Sequence, residues 1–417
     1  MPPIHIEKLI FGGQGLARVD GKAVFVWNAL PGEDVEVDYT INKKNFAEAV
    51  AVKIINPSPD RIAPQEQSFL STSPWQILSW PAENEWKKQI ALETYRRNGG
   101  LEIKENELKI ESDDAQFGYR NKMEFYFDRL PDGQITLAFL NRGETTKIPA
   151  DGSVLARPII NKYANYLIDF INENKLALSV LNKLIIKCNR QDQVIAGLFL
   201  NQKLSKKLSP ALNDELIGFS VFNANNNELT YSLGQNYLED KIMDTAIQHG
   251  IQTFFQINLP VFERALKDIA GFVEKNTPLV DYYSGTGAIT LPLAKKLQSV
   301  LLVESNPEAA EYTKTNILLN KLTNCEAICS PSEKMLEAID ENKTIIVDPP
   351  RAGLDKKIID RIISQKPPRV IYLSCDLSTQ ARDIKYLSEL YKVSFLKLYN
   401  FFPRTPHIEG LCVLDIR

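Results

Sequence analysis

The chain has 417 residues, 44% of them hydrophobic and 24% charged, with a formal net charge of -3 and a pI near 5.9. That length predicts two or three domains with separate cores, and the mild acidity excludes a protein that coats nucleic acid nonspecifically, because such binding rests on many phosphate-neutralising cations. Met1-Pro2-Pro3-Ile4-His5 has no basic segment leading into an apolar stretch, and no run of about 18 apolar residues occurs after it, so a cytoplasmic protein without membrane contact is expected.

In chain order, the first elements are short strands. Ile4-His5-Ile6-Glu7, Ala23-Val24-Phe25-Val26 and Val35-Glu36-Val37-Asp38-Tyr39 alternate apolar and polar residues, broken by Gly12-Gly13-Gln14-Gly15, Asp20-Gly21 and Pro31-Gly32. Five such strands suit an OB-like β-barrel over residues 1–61. Asn56-Pro57-Ser58-Pro59-Asp60-Arg61 reads as a linker, since closely spaced prolines disfavour helix and central strand. Residues 62–250 predict a mixed α+β domain. It has β runs at Lys122 to Phe127 and Leu184 to Lys187, and helices around Glu85 to Arg97 and Arg157 to Asn172.

Residues 251–417 have another pattern. Apolar runs at Leu279 to Tyr283, Val300 to Glu304, Glu326 to Cys329, Thr344 to Val347 and Arg369 to Leu373 alternate with helical stretches. This predicts an α/β, Rossmann-like domain with a parallel sheet, then two further strands at Tyr391 to Phe402 and Leu411 to Ile416. In such a sheet, ligands bind beyond the carboxyl ends of the strands. The polar residues cluster there: Asp348-Pro349-Pro350-Arg351-Ala352-Gly353, Cys375 after a second strand, and Arg404-Thr405-Pro406-His407-Ile408-Glu409 before a third.

The first strand end, Asp281-Tyr282-Tyr283-Ser284-Gly285-Thr286-Gly287, is a glycine-bearing turn that lets a nucleotide approach the backbone. Glu304 ends the next strand about twenty residues on, where a carboxylate accepts from ribose hydroxyls. Together they indicate a nucleoside cofactor. No G-x-x-x-x-G-K-[ST] stretch occurs, which disfavours a P-loop nucleotidase. The five cysteines, Cys188, Cys325, Cys329, Cys375 and Cys412, form neither a paired framework nor a zinc pattern. Cys325 and Cys329 are expected to be buried thiols.

The last third resembles a class I S-adenosylmethionine-dependent methyltransferase, more narrowly the RNA uracil-5-methyltransferases. Two long motifs carry the resemblance. One is D-P-P/A-R-x-G, a spacer, then Y-x-S-C-N-x-x-T, matched by Asp348 to Gly353, a sixteen-residue gap, and Val370 through Thr379. The other, D-x-F-P with a later H-x-E, is matched by Phe402-Pro403, Thr405, His407 and Glu409. The front end is similar to a TRAM domain, notably at Ala29-Leu30-Pro31-Gly32-Glu33 and Ser58-Pro59-Asp60-Arg61, and Gly118 to Lys122 resembles the family's central domain.

The resemblance implies a reaction. A thiolate adds to carbon 6 of uracil, making carbon 5 nucleophilic, and a base later removes the carbon 5 proton. It assigns Cys375 as nucleophile and Glu409 as base, and places Gln256, Tyr283, Glu304 and Asp348 around S-adenosylmethionine. Asp348 serves the cofactor or the uracil edge, and His407 orders its turn. The helix after Cys375 is expected to favour the thiolate. The RNA partner is expected to be 23S ribosomal RNA, with transfer RNA as the alternative and a monomer as the acting species; the target base lies in a loop or is flipped out.

Taken singly, Cys375 reads as a packed thiol, Glu409 as a solvated carboxylate and Asp348 as a turn former; their joint spacing assigns the roles. A noncatalytic RNA-binding protein, or an amino-group methyltransferase using Asp-Pro-Pro, stays open. Three positions depart from the pattern. Asp376 replaces asparagine and should raise the thiol pKa, Asn400 replaces aspartate, and Arg404 replaces a neutral or weakly basic residue. Some relatives hold an iron–sulfur cluster on cysteines ahead of a glutamine. Here Pro64, Leu70 and Ser73 precede Gln76 and no cysteine lies near Gly152, so no metal is expected and packing alone should hold the middle domain.

Overall fold

This computed structural model describes residues 2–142 and 146–417. At the front, residues 4–9 pair with Asp34–Val35 at their start and with Gly15–Leu16 at their end, which closes a ring through the strands Gly15–Val19, Lys22–Trp27, Phe46–Asn56 and Asp34–Asn42. Inward residues are small or β-branched, including Ala17, Val24, Val26, Val35, Ala47 and Ala49, so a narrow barrel fills itself. The OB-like barrel is therefore present. The segment behind it is not a loose linker, because Glu33, fully buried, accepts from Arg61 Nε at 2.5 Å and Nη2 at 2.8 Å.

The middle region builds a seven-stranded sheet containing Lys122–Arg129 and Leu181–Cys188. The Pro158–Glu173 helix covers it, burying Ile160, Tyr163, Ala164, Leu167, Ile168 and Ile171 at helical spacing. Packing does not act alone here. Glu66 Oε1 accepts from Thr72 Oγ1 at 2.6 Å and Gln76 Nε2 at 3.2 Å, while its Oε2 accepts from the Val154 backbone at 2.9 Å. Gln76 Nε2 also donates to Ser73 Oγ at 2.6 Å. A hydrogen-bonded knot thus ties residues 66–76 to the turn at Val154, behind the Lys147–Ala150 strand, correcting the expectation of packing alone. Among the described residues, no group of three or more His, Cys, Asp or Glu is arranged to hold a metal ion.

The carboxyl-terminal sheet has eight strands, ordered Cys325–Cys329, Ser299–Glu304, Pro278–Tyr282, Thr344–Val347, Arg369–Ser374, Glu409–Ile416, Tyr391–Tyr399 and Lys109–Glu111. The first five run parallel, and Glu409–Ile416 is antiparallel to both its neighbours. The chain order reverses between Pro278–Tyr282 and Thr344–Val347, which opens a crevice there. Lys109–Glu111 and the Trp80–Thr94 helix come from the middle of the chain, yet they join this sheet and its core, with Ala91 and Tyr95 buried against Leu377 and Ala381. Cys325–Cys329 is an edge strand, so Cys329 is exposed and Cys325 half-buried rather than both buried. No helix among the described residues is long and apolar enough to cross a membrane.

Candidate active site

Cys375 occupies the turn between the Arg369–Ser374 strand and the Leu377–Leu387 helix. Asp376 caps that helix, its Oδ1 accepting from Thr379 N at 3.0 Å. Ser374 pairs with Gly410 and Glu409 pairs with Tyr399, so one further step of the ladder sets Glu409 across from Cys375. Glu409 is buried, at 6% exposure.

Asp348 comes directly after Val347, whose partners are Tyr282 and Tyr372. Its loop is then drawn toward the Cys375 helix: Thr379 Oγ1 donates to Arg351 O at 3.2 Å, and Leu354 N donates to Asp383 Oδ2 at 2.8 Å. Gly353 is required there. It sits at φ +78, and a Cβ would lie 2.6 Å from Arg382 Nη2.

Charge is crowded at this strand edge. Burial, then Glu409, Asp348 and Asp376, push the Cys375 thiol up to about 12, opposed by Arg351. Asp376 thus acts in the expected direction but behind burial and two other carboxylates, and the net environment opposes the thiolate that the helix start was expected to favour. Burial and Asp348 hold the Glu409 carboxyl well above the usual range, again opposed by Arg351, and burial lifts Asp348 to about 7. His407 is pushed down to about 3 by burial and by Arg351, whose Nη2 lies 3.4 Å from its Nε2, which favours the neutral ring.

Three of the cofactor candidates, Tyr283, Glu304 and Asp348, stand at neighbouring strand ends beside the crevice. Tyr282 pairs with Val303 and Val347, which sets Tyr283, Glu304 and Asp348 at one level. Tyr283 adopts φ +63, uncommon for a bulky residue. Glu304 is fixed by its own turn, Oε2 accepting from Gly285 N at 2.9 Å and Oε1 from Asn306 N at 2.6 Å. Gln256 is buried ahead of the Leu259–Phe272 helix, its carbonyl accepting from Asn121 Nδ2 at 2.9 Å. Asp281 Oδ1 and Ser284 Oγ are buried beside this turn without hydrogen-bond partners, as expected of a crevice built for a polar ligand. These residues fit a nucleoside cofactor.

Residues 87–417 match the family model described as tRNA (Uracil-5-)-methyltransferase. The chain belongs to that family. Residues 3–52 match the TRAM domain. An uncharacterized RNA methyltransferase of Fusobacterium nucleatum is 30% identical, the match covering 99% of this chain and 95% of that one. Another, from Caldanaerobacter subterraneus, is 29% identical over 99% and 97% of the two chains. The Pyrococcus abyssi tRNA (uracil-54, C5)-methyltransferase, solved with S-adenosyl-L-homocysteine, shares the fold with a TM-score of 0.80 at 22% identity, covering 99% of this chain and 100% of its own.

Family, fold and enzyme class are therefore those the resemblance implied. Against the family pattern, Asn400 and Arg404 are both fully buried and meet in one polar cluster with Glu83 and Lys87. Sequence reading passed over Arg351, the cation facing both Cys375 and Glu409, although it stands inside the Asp348 to Gly353 motif. It also passed over Asp281, raised to about 8 mainly by burial.

Proposed function

We propose that this enzyme transfers a methyl group from S-adenosylmethionine to carbon 5 of a uridine in RNA, through a covalent bond from Cys375 to carbon 6, with Glu409 as base. What supports this reading is that Cys375 and Glu409 come directly beyond the last pair, Ser374–Gly410, of two neighbouring strands. Gln256, Tyr283, Glu304 and Asp348 would hold the cofactor. When bound, S-adenosylmethionine supplies an electrophilic methyl group.

The Cys375 thiol loses its proton to solvent, and the thiolate adds to carbon 6, moving electron density onto carbon 5 and its neighbouring carbonyl. Once carbon 5 carries the methyl group, the Glu409 carboxylate takes the remaining carbon 5 proton; the ring double bond re-forms and the carbon–sulfur bond breaks, freeing the thiolate. Burial and the neighbouring carboxylates favour the protonated form of both side chains, a bias the cycle has to overcome. Arg351 stabilises the resulting negative charge.

Action as a monomer and a cytoplasmic location belong to the same reading, as does division into residues 1–61, 62–250 and 251–417, with Trp80–Thr94 and Lys109–Glu111 of the middle part packed on the last. For the RNA, the barrel favours 23S ribosomal RNA. Transfer RNA is a second reading with its own support, since the Pyrococcus abyssi fold match spans the barrel as well. Mapping 5-methyluridine in both RNAs, with and without the gene, separates the two. The mechanism is tested with RNA containing 5-fluorouridine, whose fluorine blocks the final proton removal. A denaturation-resistant protein–RNA complex that Cys375→Ala abolishes is expected. Turnover of ordinary RNA by Cys375→Ala would sink the reading.

A further inference from the structure

Residues 400–408 join the Tyr391–Tyr399 strand to the Glu409–Ile416 strand and thereby deliver Glu409. The loop rests on a buried polar cluster. Glu83, on the Trp80–Thr94 helix, accepts from Lys87 Nζ at 2.8 Å, from Arg404 N at 3.0 and 3.1 Å, and from Arg404 Nη1 at 3.1 Å. Asn400 links the same groups, its Oδ1 accepting from Lys87 Nζ at 2.7 Å and its Nδ2 donating to Glu83 Oε1 at 3.3 Å. Arg404 sits at φ +63 and donates through Nη2 to Leu78 O at 2.9 Å. A non-glycine residue keeps that conformation only when its surroundings hold it.

Lys87 and Arg404 are two fully buried cations, and buried charge needs a partner. The family pattern places a carboxylate on the loop, at the position of Asn400. Among the described residues, the carboxylate that bonds to these cations is Glu83, on the helix. We infer that Glu83 is a positioning residue for the Glu409 base, acting through Arg404 and Asn400 to fix the loop that ends in Glu409. This rests on the covalent mechanism proposed above.

The loop has further supports. A Cβ on Gly13 of the barrel would lie 2.4 Å from Pro406 Cβ, Trp75 N donates to Arg404 O at 3.1 Å, and Tyr119 OH donates to Pro403 O at 3.0 Å. Loss of the Glu83 charge therefore loosens the base without freeing the loop. The step that suffers is removal of the carbon 5 proton, which comes after the Cys375 bond has formed.

The test is single turnover with ordinary RNA and S-adenosylmethionine. Glu83→Gln is expected to form the covalent complex within about two-fold of the wild-type rate but to release product about ten-fold or more slowly, so that a denaturation-resistant complex accumulates. Glu83→Gln with Asn400→Asp returns a carboxylate to the loop beside Lys87 and is expected to restore release to within about three-fold. Normal release by Glu83→Gln overturns the inference, as does an equal loss of both steps that Asn400→Asp fails to rescue. Should Glu83→Gln not fold, the double variant decides: release near the wild-type rate supports the inference, and an unfolded or slow double variant overturns it. Wild-type protein with 5-fluorouridine RNA is the control, because its failure to form a complex removes the covalent mechanism rather than the role of Glu83.

Discussion

Cys375 and Glu409 stand across from each other at the ends of two antiparallel strands, one step beyond the Ser374–Gly410 pair. The proposed nucleophile and the proposed base thus come from neighbouring strands of one sheet. Glu409→Gln should therefore let the Cys375 adduct form and then stall, lowering turnover by about 100-fold or more. Gel analysis of ordinary RNA should show a persistent complex, and a Glu409→Gln protein that turns over at the wild-type rate would remove the assignment.

The Cys375 thiol, pushed up to about 12, should alkylate slowly at neutral pH beside exposed Cys329, and faster with each unit of rising pH. Asp376→Asn separates the two duties of that residue. Asparagine caps a helix as well as aspartate does, so stability should stay within about 0.5 kcal/mol, whereas removing the charge should speed Cys375 alkylation by about three-fold. Mass-spectrometric labelling across pH, beside thermal melts, checks both; an unchanged labelling rate would show that the Asp376 charge does not reach the thiol.

Much of this site was readable because it sits where apolar runs stop. Val347 to Asp348 and Ser374 to Cys375 mark strand ends through the change from β-branched or aliphatic residues to turn formers, and that rhythm specifies the parallel sheet. Other parts had no local signal. Lys109–Glu111 is a strand because the Tyr391–Tyr399 edge is there to pair with it. Glu83 and Arg404 are 321 residues apart in sequence, and nothing near either announces the other. The exposure of Cys329 comes from strand order, which composition does not encode.

Glu33 fixes the barrel to the 57–61 segment behind it. Its buried carboxylate bonds to Arg61 and to the backbone N–H groups of Leu30 at 2.8 Å and Ser58 at 3.0 Å. Glu33→Ala strands a cation and two amides together, with an expected cost of about 3–5 kcal/mol. Denaturant unfolding should show that loss, and hydrogen exchange should show the 28–34 turn and the 57–61 segment opening first. A loss under about 1 kcal/mol would mean that water satisfies these groups.

Asp281 should set the direction of a pH effect on stability. Burial raises its folded pKa from 3.8 to about 8, and the hydroxyl of Thr290, donating to Oδ2 at 2.5 Å, only partly offsets that. Between those two values the folded protein binds a proton that the unfolded chain has released. The stability that Asp281 contributes is therefore complete below about pH 4 and declines as pH rises to about 8, by up to roughly 1.4 kcal/mol per unit. Asp281→Asn deletes that titration, so its melting temperature should gain on the wild type steadily from pH 5 to pH 8. His249, buried and lowered from 6.5 to about 4, works the other way, since its contribution is lost as pH falls below 6.5. The comparison is therefore made between the two proteins at each pH, where the histidine terms cancel. A constant difference in melting temperature across that range would show that Asp281 is ionised in the folded protein.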